Sequence, residues 1–377
     1  MVQGVLARQA AAVREGDQRA YLAETDPRAT AYRAAQRGVF RNLARLPLAT
    51  WSYEVREVST GSGNHATAKV SLRYRLKGYD RVTTESPERL GLTRRDGRWY
   101  LASERTGGTR QLWEQGDMRV VRGAHSLVLG VGRSQSALRA LARTADEAVP
   151  SVDAAWPRAW SRKVVLVAPD SLDDMARLLG SPASSYAGIA AVTTGEAGGD
   201  ARAGTPADRI VVNPEAYGVL SGVGRQVVLT HEATHVATRD TTTPATPLWL
   251  SEGFADWAGY RETAQSPRTA APELARAITE ASTAGRDPEP LRALPPDKAF
   301  RFGSAPDTLA HAYEGGWLAC RMVAEKWGED KLVALYLRAG QPPDTDTALR
   351  SVLGISQRKF TTLWRAYALH ELNRQPK

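Results

Sequence analysis

Residues 230–236 read THEATHV, and residues 248–257 read LWLSEGFADW. The chain has six histidines, and two of them, His231 and His235, stand four residues apart around Glu232 in an otherwise apolar stretch. If residues 224–238 (GRQVVLTHEATHVAT) are helical, side chains at i and i+4 project from one face and can offer two imidazole nitrogens to a single ion. A catalytic zinc takes three protein ligands and keeps one position for water, so the pair needs a third partner. The second stretch offers one. Thr246 can N-cap, Pro247 suits the first helical position, and Glu252 lies one turn in. The intervening RDTTTPATP at 239–247 is long enough to reverse direction, so two antiparallel helices can converge on one metal. Asp256, four residues after Glu252, then lies within reach of the outer nitrogen of a ligating histidine and can fix its tautomer.

The pattern H-E-A-T-H followed after a turn by W-L-S-E-G-F-A-D-W resembles the gluzincin metallopeptidases, the group that contains thermolysin and the zinc aminopeptidases. The resemblance covers roughly residues 120–377, with its specific part at 231–256. It implies zinc held by His231, His235 and Glu252, activation of the attacking water by Glu232, and support of a histidine by Asp256. Members of this group commonly use a Tyr or His from a later helix to stabilise the oxyanion. Here residues 310–328 offer Tyr313 and His311, while Gly315-Gly316 would let that helix approach a neighbour closely. Tyr260 reads as a core residue. No G-A-M-E-N-like exopeptidase signature is present, which favours an endopeptidase or a restricted specificity. The resemblance also implies an exposed strand edge for an extended peptide, and residues 187–192 (AGIAAV) are the candidate, with IVVN at 210–213 as inner neighbour.

A chain of 377 residues can bury a substantial core and suggests two domains, one of them large. The single cysteine, Cys320, excludes an internal disulfide framework and any Cys-rich zinc finger. The formal charge of +9 comes from 50 basic against 41 acidic residues. The arginines are spread without a long basic run or interleaved aromatics, which reads as a solvated basic surface and not as a nucleic-acid site. No stretch has the length and apolarity of a transmembrane span or of a signal-peptide core. The chain opens inside a helical pattern (Val5, Leu6, Ala10, Val13), so removal of an upstream signal or anchor is an expectation. With one removed the protein would be secreted or held at the cell surface or envelope, and otherwise cytoplasmic.

The overall class expected is α+β. Helical patterns over 2–24 and 27–45 lead into HATAKVSLRYRLK at 65–77, where Ala66, Ala68, Val70, Leu72, Tyr74 and Leu76 alternate with polar neighbours as in a strand with one buried face. In LGLTRRDGRWYLAS at 90–103, Asp96-Gly97 supplies the positive φ angles of a tight hairpin. Helices followed by a curled antiparallel sheet resemble the cone-shaped nuclear transport factor-like fold, giving an N-terminal α+β domain at 1–112. Strands and helices then alternate in residues 113–240, with a Gly/Ala/Asp-rich loop at 195–208, and residues 241–377 are largely helical. The expectation is a two-lobed zincin-like peptidase domain, with an upper lobe at 113–240 and a helical lobe at 241–377.

The function these readings point to is that of a zinc-dependent peptidase acting on a peptide or protein substrate, with Zn2+ as cofactor and no nucleic-acid partner. A catalytically silent envelope or partner-binding protein that kept the fold is the alternative. A zinc hydrolase for a non-peptide substrate is a third reading, because the ligand set does not specify the bond cleaved.

Overall fold

The computed structural model describes residues 2–60, 63–104, 110–194, 208–301, 304–342 and 344–373. Of the expected loop at 195–208, all but Asp208 lies outside these residues. The chain is of mixed α/β composition and forms two compact units, the described strands all lying in the first. One comprises Met1–Arg143 with Lys163–Val219, the other Thr144–Arg162 with Leu220–Lys377. Among the described residues, no helix is long and apolar enough to cross a membrane.

The first unit starts with α1 (Val2–Glu15), α2 (Gln18–Ala23) and α3 (Thr30–Leu43). The helix expected over 2–24 is therefore two. Gly16 adopts φ 71°, a conformation open to glycine at little cost, and Asp17 then caps α2 by accepting from the Ala20 N–H at 2.9 Å. An antiparallel sheet follows in sequential order: β1 (Leu48–Thr60), β2 (His65–Leu76), β3 (Thr84–Arg95) and β4 (Arg98–Glu104). The six alternating apolar residues of β2 are all buried. Asp96 and Gly97, at φ 48° and 80°, turn β3 into β4.

The second sheet has the order β5-β6-β7-β9-β8, from β5 (Met118–Arg122), β6 (Ser126–Val131), β7 (Val164–Ala168), β8 (Ala191–Thr193) and β9 (Ile210–Val212). Strands β6, β7 and β9 run parallel, with β5 and β8 antiparallel at the edges. Every residue of β6, β7 and β9 is buried, as their continuous apolar sequence requires of central parallel strands. The expected edge strand at 187–192 is confined to β8, whose three residues are buried. Helices α4 (Gln135–Ala155), α5 (Leu172–Leu179) and α6 (Pro214–Gly218) complete the order up to Gly218. One apolar core contains Trp51 and Leu72 together with Leu127, Leu129 and Val165. The Asn42 amide donates to the Trp113 and Gly116 carbonyls and accepts from the Met118 N–H. These contacts hold both sheets in the first unit across 112/113, and the units divide the chain at 143/144, 162/163 and 219/220.

The second unit holds α7 (Gly222–Thr238), α8 (Leu248–Tyr260), α9 (Pro267–Ala270), α10 (Pro272–Thr283), α11 (Pro306–Trp327), α12 (Glu329–Ala339), α13 (Thr345–Leu353) and α14 (Gln357–Asn373), with the end of α4. Ser221 caps α7 by accepting from the Gly224 N–H. Helix α8 departs from expectation at its start. Pro247 is the capping residue, and the Thr246 hydroxyl accepts from the Thr243 N–H in the preceding turn. Asp297 instead accepts from the Leu248 N–H at 2.9 Å. Helix α8 is nearly all buried, and two of its glycines allow close neighbours. A Cβ on Gly259 would lie 2.9 Å from the Val227 carbonyl oxygen of α7, and one on Gly253 2.3 Å from that of Gly316 on α11.

Candidate metal centre

Helices α7 and α8 bring three donors together. The Nε2 atoms of His231 and His235 are 2.9 Å apart, and Glu252 Oε2 lies 3.3 Å from the first and 3.4 Å from the second. His235 is 2% exposed and Glu252 8%, so the set is withdrawn from bulk water. Two imidazole lone pairs at this separation repel unless a proton or metal lies between them. A tetrahedral zinc with bonds of 2.0–2.2 Å separates its ligand atoms by about 3.3 Å, and the three observed distances fall within a few tenths of that. The donor chemistry, two nitrogens and one carboxylate oxygen, also suits zinc. Together these residues could hold a metal ion.

The fourth residue fixes the orientation. Asp256 Oδ1 is 2.8 Å from His231 Nδ1, so the Nδ1–H donates to the carboxylate and Nε2 keeps its lone pair for the centre. Electrostatics follow the same geometry. Burial works against a charged His231, but the Asp256 and Glu252 carboxylates outweigh it and raise its pKa well above the ordinary histidine value. Burial would push Glu252 up, yet His235 and His231 hold its carboxyl well below the usual carboxylate range. The pocket therefore favours positive charge at its middle.

Glu232 is buried, 6% exposed, and is not one of the three converging donors. Tyr313, on α11, has its ring 6.2 Å from that of His231 at an interplanar angle of 40°, and Phe300 packs edge-on against it at 5.3 Å. His311 is not part of the donor set, and its Nε2 is buried without a hydrogen-bond partner. Tyr260 packs against Trp317 at 5.3 Å, and burial pushes its hydroxyl up to about 12. Cys320 is buried and free, its thiol raised by burial.

Sequence reasoning passed over Glu314. Its carboxylate accepts from the Glu273 and Leu274 N–H groups at 3.2 and 2.6 Å, tying the start of α10 to α11 one residue from Tyr313. Burial pushes its pKa up to about 7. The one available signal was a carboxylate inside an otherwise apolar helical stretch.

Searches of protein-family models and of curated proteins give no match for this chain. Among solved structures, native yeast LTA4 hydrolase is similar with a TM-score of 0.38 and 12% identity, over 75% of this chain and 43% of that one. The chain thus spans less than half the length of that protein, and a likeness of this size carries no argument about its activity.

Proposed function

We propose that this chain is a zinc-dependent peptidase that hydrolyses peptide bonds of a peptide or protein substrate. The observation that carries the reading is the convergence of His231 Nε2, His235 Nε2 and Glu252 Oε2, with the outer nitrogen of His231 held by Asp256. Zinc bound there supplies a Lewis acid and lowers the pKa of a coordinated water towards about 7. His231, His235 and Glu252 would hold the zinc as three protein ligands, the number found in catalytic sites, which keep a further position for water. Glu232 sits between the two histidine ligands on α7 without joining them, and in this reading it takes the proton of the attacking water and passes it to the departing amine. Tyr313, whose ring packs beside that of His231, would donate its hydroxyl to the oxyanion.

The decisive variant is Glu232→Gln, which keeps volume and helix propensity but cannot accept a proton at neutral pH. Zinc content should match the parent, while cleavage in a mixed-peptide screen should fall by at least about 100-fold. A parent that binds zinc stoichiometrically yet cleaves nothing in that screen would instead indicate a silent binding protein.

A further inference from the structure

The first unit contains a second concentration of titratable side chains, none of them assigned to the metal centre. A slot with room for about 20 Å³, roughly the space of one water molecule, is walled by Glu88, Glu104 and Glu114 together with Tyr21, Tyr32 and Tyr53. Through Tyr32, Gln36, Glu104 and Trp113 it shares walls with an outer chamber of about 360 Å³. Among the described residues, no lysine, arginine or histidine lines the slot. Arg110 and Arg41 line only the chamber; burial raises the pKa of Glu104 and, further, of Glu114, and Arg110 offsets this only in part. Glu104 accepts from the Gln36 amide and Glu114 from the Gln111 N–H. No hydrogen bond or ion pair joins the Glu88 carboxyl to another described residue.

An independent feature lies on α1. Gln9 is 3% exposed and lines the same slot, yet its side-chain amide makes no hydrogen bond with a described residue. Its amide therefore has hydrogen-bonding capacity to offer to a group that enters the slot. A bare metal ion is a poor candidate, because among the described residues only His231, His235 and Glu252 bring their donor atoms within 4.8 Å of one another. The glutamates surround a wider space, and the aromatic walls favour an organic cation.

We propose that this unit binds a primary organic ammonium ion, its –NH3+ head in the slot among Glu88, Glu104 and Glu114 and its organic body in the chamber. An –NH3+ head is water-sized and offers three donors, enough to meet the Glu88 carboxylate and the Gln9 amide oxygen together. Burial and the nearby Glu104 push the Glu88 carboxyl up to about 8, so at pH 7 it is protonated before the ligand arrives. Binding then exchanges one cation for another: Glu88–COOH and R–NH3+ give the Glu88–COO⁻ ion pair with R–NH3+, and one H+ leaves to solvent.

The test is isothermal titration of the full chain at pH 7 in two buffers of different protonation enthalpy. The probes are phenethylammonium, the neutral phenethyl alcohol, the anion hydrocinnamate, and the trimethylammonium analogue of the first, whose head is too large for the slot. Phenethylammonium should bind saturably with net proton release, while the other three bind at least about 10-fold more weakly. Glu88→Gln and Gln9→Leu should each weaken it by about 10-fold or more, with melting no lower than the parent and zinc content unchanged. A slot that holds only water would give no saturable heat with any probe. That result, equal binding of the alcohol, or parent-like affinity in a folded Glu88→Gln protein would overturn the proposal.

Discussion

Gly253 of α8 and Gly316 of α11 meet with no room for a side chain. A Cβ on Gly253 would lie 2.3 Å from the Gly316 carbonyl oxygen, and one on Gly316 would lie 2.7 Å from that of Trp249. Gly253 follows Glu252 directly, and Gly316 lies one turn after Tyr313, so this contact sets how near α11 brings Tyr313 to the histidines. Backbone atoms on both sides cannot swing away as a side chain could. Gly253→Ala should therefore lower stability by about 3 kcal/mol, the upper part of the range for overpacking. Denaturant unfolding measures it, and a parent-like midpoint would mean that the helices part freely.

The parent should carry one zinc per chain. His235→Ala or Glu252→Ala should lose it, because two remaining ligands bind zinc poorly. Metal analysis after dialysis decides the matter, and full occupancy in His235→Ala would remove that residue from the ligand set.

Asp256→Asn keeps the shape of the side chain but removes the charge that orients the His231 ring across 2.8 Å. Zinc affinity should fall by roughly 10–100-fold, as read by competition with a chromogenic chelator. An unchanged affinity would show that the ring is held by its packing alone.

Tyr313→Phe deletes a hydroxyl and leaves the ring contacts with His231 and Phe300 in place. If the hydroxyl reaches the oxyanion, kcat should drop by about 100-fold with little change in KM, the pattern of an interaction made mainly in the transition state. Unaltered kcat would leave the tyrosine a packing role.

Glu314 gives a pH signature. Its carboxyl titrates at about 7 in the fold against an ordinary 4.5, so between these values the unfolded chain has lost a proton that the folded one keeps. Unfolding releases that proton, and this residue's contribution makes stability fall as pH rises from about 4.5 to about 7, then level off. Glu314→Gln keeps an acceptor for the Leu274 N–H but cannot titrate. The difference in unfolding free energy between variant and parent should therefore grow in favour of the variant across that window. A constant difference would mean that Glu314 titrates normally.

What was legible in the sequence came from local geometry. The i, i+4 spacings of His231 with His235 and of Glu252 with Asp256 fix which side chains share a helical face, and nine residues between the stretches suffice for a reversal. The alternation in β2 and the Asp96-Gly97 turn are read in the same way. Contacts between distant segments leave no period to read. Glu314 reaching the Leu274 N–H, Asp297 serving the start of α8 and Gly253 meeting Gly316 all belong to that class. Thr246 shows a second limit. Its hydroxyl had two N–H groups on offer, and the preceding turn took it. The change of rhythm near residue 112 marks a change of sheet, while the Asn42 amide and the shared core group both sheets in one unit.

Because the chain leaves the first unit after Arg143, returns after Arg162 and departs again after Val219, neither unit is written as one continuous message. Trp156, the residue after α4, lies with its indole edge-on against Phe254 of α8 at 5.6 Å and against Tyr336 at 5.4 Å. A gene fragment opening at Leu220 would thus encode every proposed zinc ligand and still lack the tryptophan wedged behind them. The metal helices and an upstream stretch of code have to be inherited together, which makes this centre hard to transplant as a cassette into another protein.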